Sequence, residues 1–137
     1  TYNPQKTTGH ERKVSTAKHK RNSKNSSNYG ESSATTYDST ERYPRSVQIF
    51  SKDKQKSSFH PTQKPVALFE YLIKTYTNEG ETVLDNCAGS FTTAVACENT
   101  NRNWICMEKE DKYCNIGLTR INDNRERLSL PLLDSIN

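Results

Sequence analysis

An α/β fold, with parallel strands joined through helices, is predicted for the second half of this chain from three observations. Thr82-Val83-Leu84-Asp85 reads as a short buried strand that passes through the small residues Asn86 to Ser90 into a helix starting near Thr92. A second strand, Asn103 to Met107, ends in Glu108. That is about 20 residues beyond the turn, where strand–turn–helix ligand sites place an acid for ribose hydroxyls. Between Val66 and Tyr76, apolar residues at 66, 69, 73 and 76, with Leu72 beside them, recur at helical spacing. Helix, strand, helix, strand in this order implies neighbouring parallel strands with right-handed crossovers.

The first half reads differently. Residues 1–46 contain one Val, Val14, and no Leu, Ile or Met. Residues 1–59 carry 12 Lys+Arg against 5 Asp+Glu, net +7, whereas residues 60–137 carry 8 against 11, net −3. A segment this polar cannot bury enough apolar surface to offset its chain entropy, so residues 1–40 are expected to be extended or disordered. Lys18, Lys20, Arg21 and Lys24 form its densest basic patch. Basic side chains neutralise phosphates, and Tyr2, Tyr29, Tyr37 and Tyr43 would stack on bases, so nucleic acid and a plain solvated linker both stay open here. Val47 to Phe50 suggests a short strand, followed by a polar loop from Ser51 to Ser58.

His60-Pro61-Thr62-Gln63-Lys64-Pro65 closes that loop. Pro65 suits a helix start, where a missing N–H costs nothing, and Gly80 lies beyond the helix end. The amphipathic stripe from Val66 reads as core packing. The next helix is expected over Ser90–Asn99, the strand after it over Asn103–Met107, and a last helix from Asp111 to about Ile121. Arg125 to Asn137 is expected to be a tail whose leucines pack on the sheet. These are too few strands for a complete doubly wound sheet, and the chain begins with Thr1, so a fragment of something longer is expected.

Cys87, Cys97, Cys106 and Cys114 match no CxxC-type zinc spacing and are read as buried free thiols in a reducing compartment; no metal site is expected. With no signal peptide or membrane-spanning apolar run in the sequence, a cytoplasmic protein without membrane contact is expected.

Three blocks together resemble the carboxy-terminal part of the amino-directed DNA methyltransferases, which methylate adenine N6 or cytosine N4 with S-adenosylmethionine. They are His60 to Pro65 before a helix, Val83-Leu84-Asp85 running into Gly89-Ser90 and Thr92-Thr93, and Trp104 to Glu108. The likeness is to the subgroup whose catalytic block comes first and cofactor block last, and it covers most of residues 42–121. It implies a partial Rossmann-like methyltransferase sheet over 60–137, preceded by a basic, largely irregular target-recognition or linker segment over 1–59. It also implies a cytoplasmic, bacterial or phage-encoded protein of restriction-modification type, acting on double-stranded DNA. The resemblance further implies that His60, Thr62, Lys64, Asp85, Gly89, Ser90, Thr92, Thr93 and Glu108 hold the cofactor. Lys18, Lys20, Arg21, Lys24 and Arg42 would contact DNA.

Two departures from the family pattern matter. Asn86-Cys87 stands where family members usually carry Pro-Phe after the Asp, and Phe91 stands at the last glycine of their Gly-Ser-Gly turn, adding a ring where the chain needs φ > 0 or close approach to the ligand. Weaker cofactor binding than in Phe91→Gly is therefore expected. The catalytic Asp/Asn/Ser-Pro-Pro-Tyr/Phe block is absent, since no two prolines are adjacent. Because that block positions the flipped base, the chain is expected to be inactive alone and to need an upstream catalytic half in the same or a separate chain, with a homodimer left open. A non-catalytic DNA-binding remnant is the alternative, with Phe91 as its support. A dehydrogenase is disfavoured, because the turn lacks the three-glycine fingerprint.

Overall fold

A computed structural model describes residues 1–17, 35–51 and 63–129. They form two compact units, one of Thr1–Gln5 with Val47–Asn137 and one of Lys6–Ser46. The expected boundary at 59/60 lies outside the described residues.

In the larger unit, α1 spans Val66–Tyr76 and begins directly after Pro65, whose extended φ/ψ of −61° and 136° makes it the residue before the first turn. It stops at Thr77, whose N–H and hydroxyl both return to the Ile73 carbonyl, at 2.9 and 2.6 Å. Strand β3, Thr82–Asp85, pairs in parallel with β4, Asn103–Cys106, in the register Thr82↔Asn103 to Asp85↔Cys106. The parallel pairing requires a crossover, and α2, Thr92–Asn99, supplies it. Thr92 through Cys97 are all buried, so α2 is a central helix with no polar face along that run. Its small side chains, Ala94, Ala96 and Cys97, are fully enclosed and allow α1 and the last helix to pack against it. Helix α3, Asp111–Ser129, buries Gly117, Arg120, Ile121 and Asn124, one face at steps of three and four. Two clusters make up the core: Ala88, Phe91, Ala94, Val95 and Ile121, and beside them Ile73, Ala96 and Cys97, with Trp104 touching both. On the strands, Val83, Asp85, Trp104 and Cys106 are half-buried, while the alternate Leu84 and Ile105 remain 62% and 51% exposed.

Several boundaries move. Ser90 and Phe91 belong to the turn before α2, and Met107 lies past the end of β4. No strand forms at Val47 to Phe50; Val47 and Ile49 are exposed, and no described segment pairs with them. The last helix runs past Ile121 to Ser129, so the start of the expected tail is helical. Its final turns hold by side-chain bonds: Arg125 pairs with Glu98 at 2.6 Å, and the Asn124 amide donates to Asn99 at 3.0 Å. Leu128 is exposed, and the other tail leucines lie outside the described residues. Of the four cysteines, all free, Cys87 is exposed and not buried as expected.

The smaller unit adds a strand pair, not foreseen from the sequence, to the segment expected to be extended and largely irregular. Strands β1, Lys13–Ala17, and β2, Thr35–Ser39, pair antiparallel, and Thr7 bridges Arg42. Apolar burial is not the cause, since Val14 remains 61% exposed. The ladder is supported by polar contacts: the Arg12 fork grips Asp38 at 2.8 and 2.6 Å, and Lys6 meets Glu41 at 3.0 Å. Among the described residues no helix is long and apolar enough to cross a membrane.

Candidate functional site

The chain between β3 and α2 is held from both strand ends. At the end of β3, one carboxylate oxygen of Asp85 accepts the Cys87 N–H at 3.0 Å and the other accepts the Thr93 hydroxyl. The first bond is an Asx-type turn that starts the bend; the second ties that turn to the first turn of α2. Beyond β4, Glu108 accepts the Gly89 N–H at 2.8 Å with one oxygen, and the N–H groups of Lys109 and Glu110 at 2.9 and 3.0 Å with the other. Main-chain bonds complete the frame, from Ala88 N–H to the Met107 carbonyl at 3.0 Å and from Phe91 N–H to the Ala88 carbonyl at 2.9 Å. The two acids thus stand at the carboxyl ends of adjacent parallel strands and act on one turn, as open α/β sheets place their ligand crevices.

A cavity of about 540 Å³ opens beside this turn. Asp85, Gly89, Ser90, Thr92 and Thr93 line it, together with Gln63 and Lys64 from the segment before α1 and the apolar Leu72, Tyr76 and Leu84. Seven of the nine expected cofactor residues are accounted for at the turn and its cavity. Lys64, Asp85, Gly89, Ser90, Thr92 and Thr93 share the cavity wall, while Glu108 reaches the same turn through Gly89. His60 and Thr62 lie outside the described residues, as do Lys18, Lys20, Arg21 and Lys24. Arg42 is described, and its guanidinium donates to the carbonyls of Ser39, Glu41 and Glu11 at 3.0, 2.8 and 2.5 Å. Those bonds give it a structural task within its own unit.

Phe91 has the left-handed backbone anticipated for its position, with φ of 58° and ψ of 37°. Its ring does not enter the cavity. It is 6% exposed, in the cluster with Val95 and Ile121, with Trp104 6.4 Å away between ring centroids. A Cβ built on Gly117 would lie 2.4 Å from the Phe91 Cγ, so the ring rests directly on that glycine. The expectation that the ring obstructs the ligand is corrected accordingly: α3 leaves it a slot in the core.

Sequence reasoning missed Gly117 and Arg120. Arg120 is buried and donates from Nη1 to the Ser90 carbonyl, to the Ser90 hydroxyl at 2.8 Å and to the Thr92 hydroxyl at 3.2 Å. The available signal was their place on the helical stripe with Ile121 and Asn124, which makes a glycine and a cation core residues. Gln63, whose side-chain oxygen accepts the Ser90 hydroxyl at 3.4 Å, was also overlooked within its hexapeptide. Burial pushes the Cys97 thiol up to about 11 and the Cys106 thiol, also repelled by Asp85, up to about 12, so neither is a nucleophile near neutral pH.

The DNA methylase family model matches residues 2–119. Over 62 residues the chain is 44% identical to the DNA adenine methyltransferase YhdJ of Escherichia coli, covering 45% of this chain and 21% of that protein. Over 75 residues it is 41% identical to the type II methyltransferase M.HindIII of Haemophilus influenzae, covering 55% of this chain and 23% of the relative. The solved M1.HpyAVI–SAM complex is 42% identical with a TM-score of 0.50, over 58% of this chain and 38% of that one. The cytosine-N4-specific PvuII DNA methyltransferase, 23% identical with a TM-score of 0.51 over 62% of this chain and 38% of that one, shares the fold. The chain therefore spans under a quarter of the length of these two curated relatives, and its match to the family model places it in the DNA methylase family.

Proposed function

We propose that this chain is the S-adenosylmethionine-binding part of an amino-directed DNA methyltransferase acting on adenine N6 or cytosine N4. The observation that carries the reading is the convergence of Asp85 and Glu108 on one turn that opens into a cavity of about 540 Å³. The donor set suits such a ligand. A helix N-terminus has unsatisfied N–H groups and a positive dipole end, which suit a carboxylate at the start of α2. Gly89 and Ser90 allow the backbone to approach closely. Glu108, which accepts the Gly89 N–H at the carboxyl end of β4, is the acid that would meet the ribose hydroxyls. Lys64, with His60 and Thr62, would flank the cofactor from the α1 side.

The bound cofactor supplies an electrophilic methyl group on sulfur. This chain's residues hold and orient it, and the group that positions the flipped base comes from a Pro-Pro-Tyr-type block outside these 137 residues. That block would belong to an upstream half, in the same or a separate polypeptide, with a homodimer as a further arrangement. The basic segment over 1–59 would contact double-stranded DNA through Lys18, Lys20, Arg21, Lys24 and Arg42. The reading of a DNA-binding remnant without cofactor drew on Phe91; with its ring against Gly117, that support is gone.

Calorimetry with S-adenosylmethionine, followed by methyl transfer from labelled cofactor to DNA, tests the proposal. The chain alone is expected to bind cofactor without transferring label, and transfer is expected once an upstream half is added. Neither binding nor label in any combination would end the methyltransferase reading.

A further inference from the structure

Arg120 reaches from α3 to the turn between β3 and α2. It is 8% exposed, and a charge so placed is costly unless fully hydrogen-bonded. Its Nη1 is directed at the Ser90 carbonyl, the Ser90 hydroxyl at 2.8 Å and the Thr92 hydroxyl at 3.2 Å. Both residues line the cavity. Between them sits Phe91, whose ring rests on Gly117 one helical turn before Arg120. Helix α3 thus holds three consecutive residues, Ser90 and Thr92 by the guanidinium and Phe91 by the glycine slot. The peptide joining Ser90 to Phe91 is pinned at both ends, since its carbonyl accepts from Arg120 while its N–H donates to the Ala88 carbonyl at 2.9 Å.

We propose that Arg120 is a positioning residue for the methyl donor: it fixes the Ser90–Phe91 peptide and the Thr92 hydroxyl so that the start of α2 faces the donor's amino-acid end. The inference rests on the cofactor reading above. It makes a ligand-selective prediction, because the residues Arg120 orients belong to the turn and α2 start, where the carboxylate and ammonium would lie. The adenosine end is assigned to Glu108, on the other strand. Removing the guanidinium should therefore weaken ligands that carry the amino acid and spare those that lack it.

The test compares the wild-type chain with Arg120→Met and Arg120→Lys by calorimetry, using S-adenosylmethionine and 5′-methylthioadenosine, which lacks the amino-acid end, with a thermal melt of each protein. Arg120→Met is expected to lose about tenfold or more in affinity for S-adenosylmethionine, as for a lost charged hydrogen bond, and about twofold or less for methylthioadenosine. Arg120→Lys keeps the charge but not the planar fork, and should fall between. Should Arg120→Met fail to fold, the selective loss in Arg120→Lys decides the matter. Equal losses for both ligands, or no loss in a folded variant, overturn the positioning role alone. Failure of the wild-type chain to bind either ligand overturns the cofactor reading and this inference with it.

Discussion

Gly117→Ala tests whether the Phe91 ring is the element that shapes the turn's inner side. The added Cβ would lie 2.4, 2.7 and 2.8 Å from the Phe91 Cγ and Cδ atoms, all below any tolerable carbon–carbon contact. Ordinary contact needs about 3.5–4.0 Å, so the ring must retreat by about 1 Å. Ala88, Ala94, Val95 and Ile121 close the space behind it, and all are at least 92% enclosed. Overpacking of this kind costs about 1–3 kcal/mol, whereas alanine in a helix interior returns about 1 kcal/mol relative to glycine. The ring is attached to a left-handed residue with little freedom to swing, so a cost toward the upper end, and a net loss of about 1–2 kcal/mol, is expected. For a domain this small that corresponds to a melting temperature about 5–15 °C lower. The assay is a urea or thermal melt of wild type, Gly117→Ala, Phe91→Gly and the double variant. With Phe91 replaced by glycine the clash is gone, and Gly117→Ala should become stabilising by about 1 kcal/mol. A Gly117→Ala effect of the same sign and size in both backgrounds would refute the packing argument.

Cys87 is exposed on the cavity wall, while Cys97 is buried and Cys106 half-buried, both with raised thiol pKa, so a maleimide should modify Cys87 first. S-adenosylmethionine should slow that labelling, which peptide mass mapping would read. Because the Phe91 ring points into the core, Phe91→Gly should lower the melting temperature yet leave cofactor affinity within about twofold, a loss of packing without a ligand contact. Calorimetry on the folded fraction checks this. Glu98 accepts hydrogen bonds from Arg125 at 2.6 Å and from the Trp104 indole at 2.9 Å, and the Arg125 bond is the first cause that holds its carboxyl below the ordinary range. A depressed folded pKa stabilises above the unfolded value and is lost as pH falls through the folded one. The melting difference between wild type and Glu98→Gln should therefore be full at neutral pH and shrink in acid below about pH 4, seen in melts from pH 7 to 3.

The strand–turn–helix and the two acids were legible because local rules decide them. Alternating and helical periods mark β3, β4 and α1, and small residues mark a turn whatever the tertiary setting. The β1–β2 pair was not, because polar strands carry no hydrophobic alternation and their strongest link, Arg12 to Asp38, joins residues 26 apart in sequence. The end of α3 was missed for a like reason: residues 122–129 carry little apolar pattern, and bonds from Asn124 and Arg125 to α2 hold them. The site itself divides along the same line. Asp85 and Glu108 announce themselves at strand ends, whereas Arg120 reads as one more solvated cation until a packed helix turns it inward. Phe91 shows why side-chain direction is the hardest part to foresee. Its left-handed backbone follows from its place in the turn, but where its ring goes depends on the missing side chain of Gly117, a full helix and strand later.

Both acids and Arg120 form their bonds to the turn with no ligand needed to complete them. Asp85 bends it, Glu108 holds Gly89, and Arg120 holds Ser90 and Thr92. A turn tied at three points by its own chain has little chain entropy left to lose to a ligand, which is how a preorganised site gains affinity. It also assigns different consequences to the three anchors. Loss of Asp85 would release both the bend and the Thr93 link to α2, and loss of Glu108 would release Gly89 and the chain entering α3. Loss of Arg120 would release the Ser90 carbonyl and hydroxyl and the Thr92 hydroxyl, the groups nearest the proposed amino-acid end of the ligand.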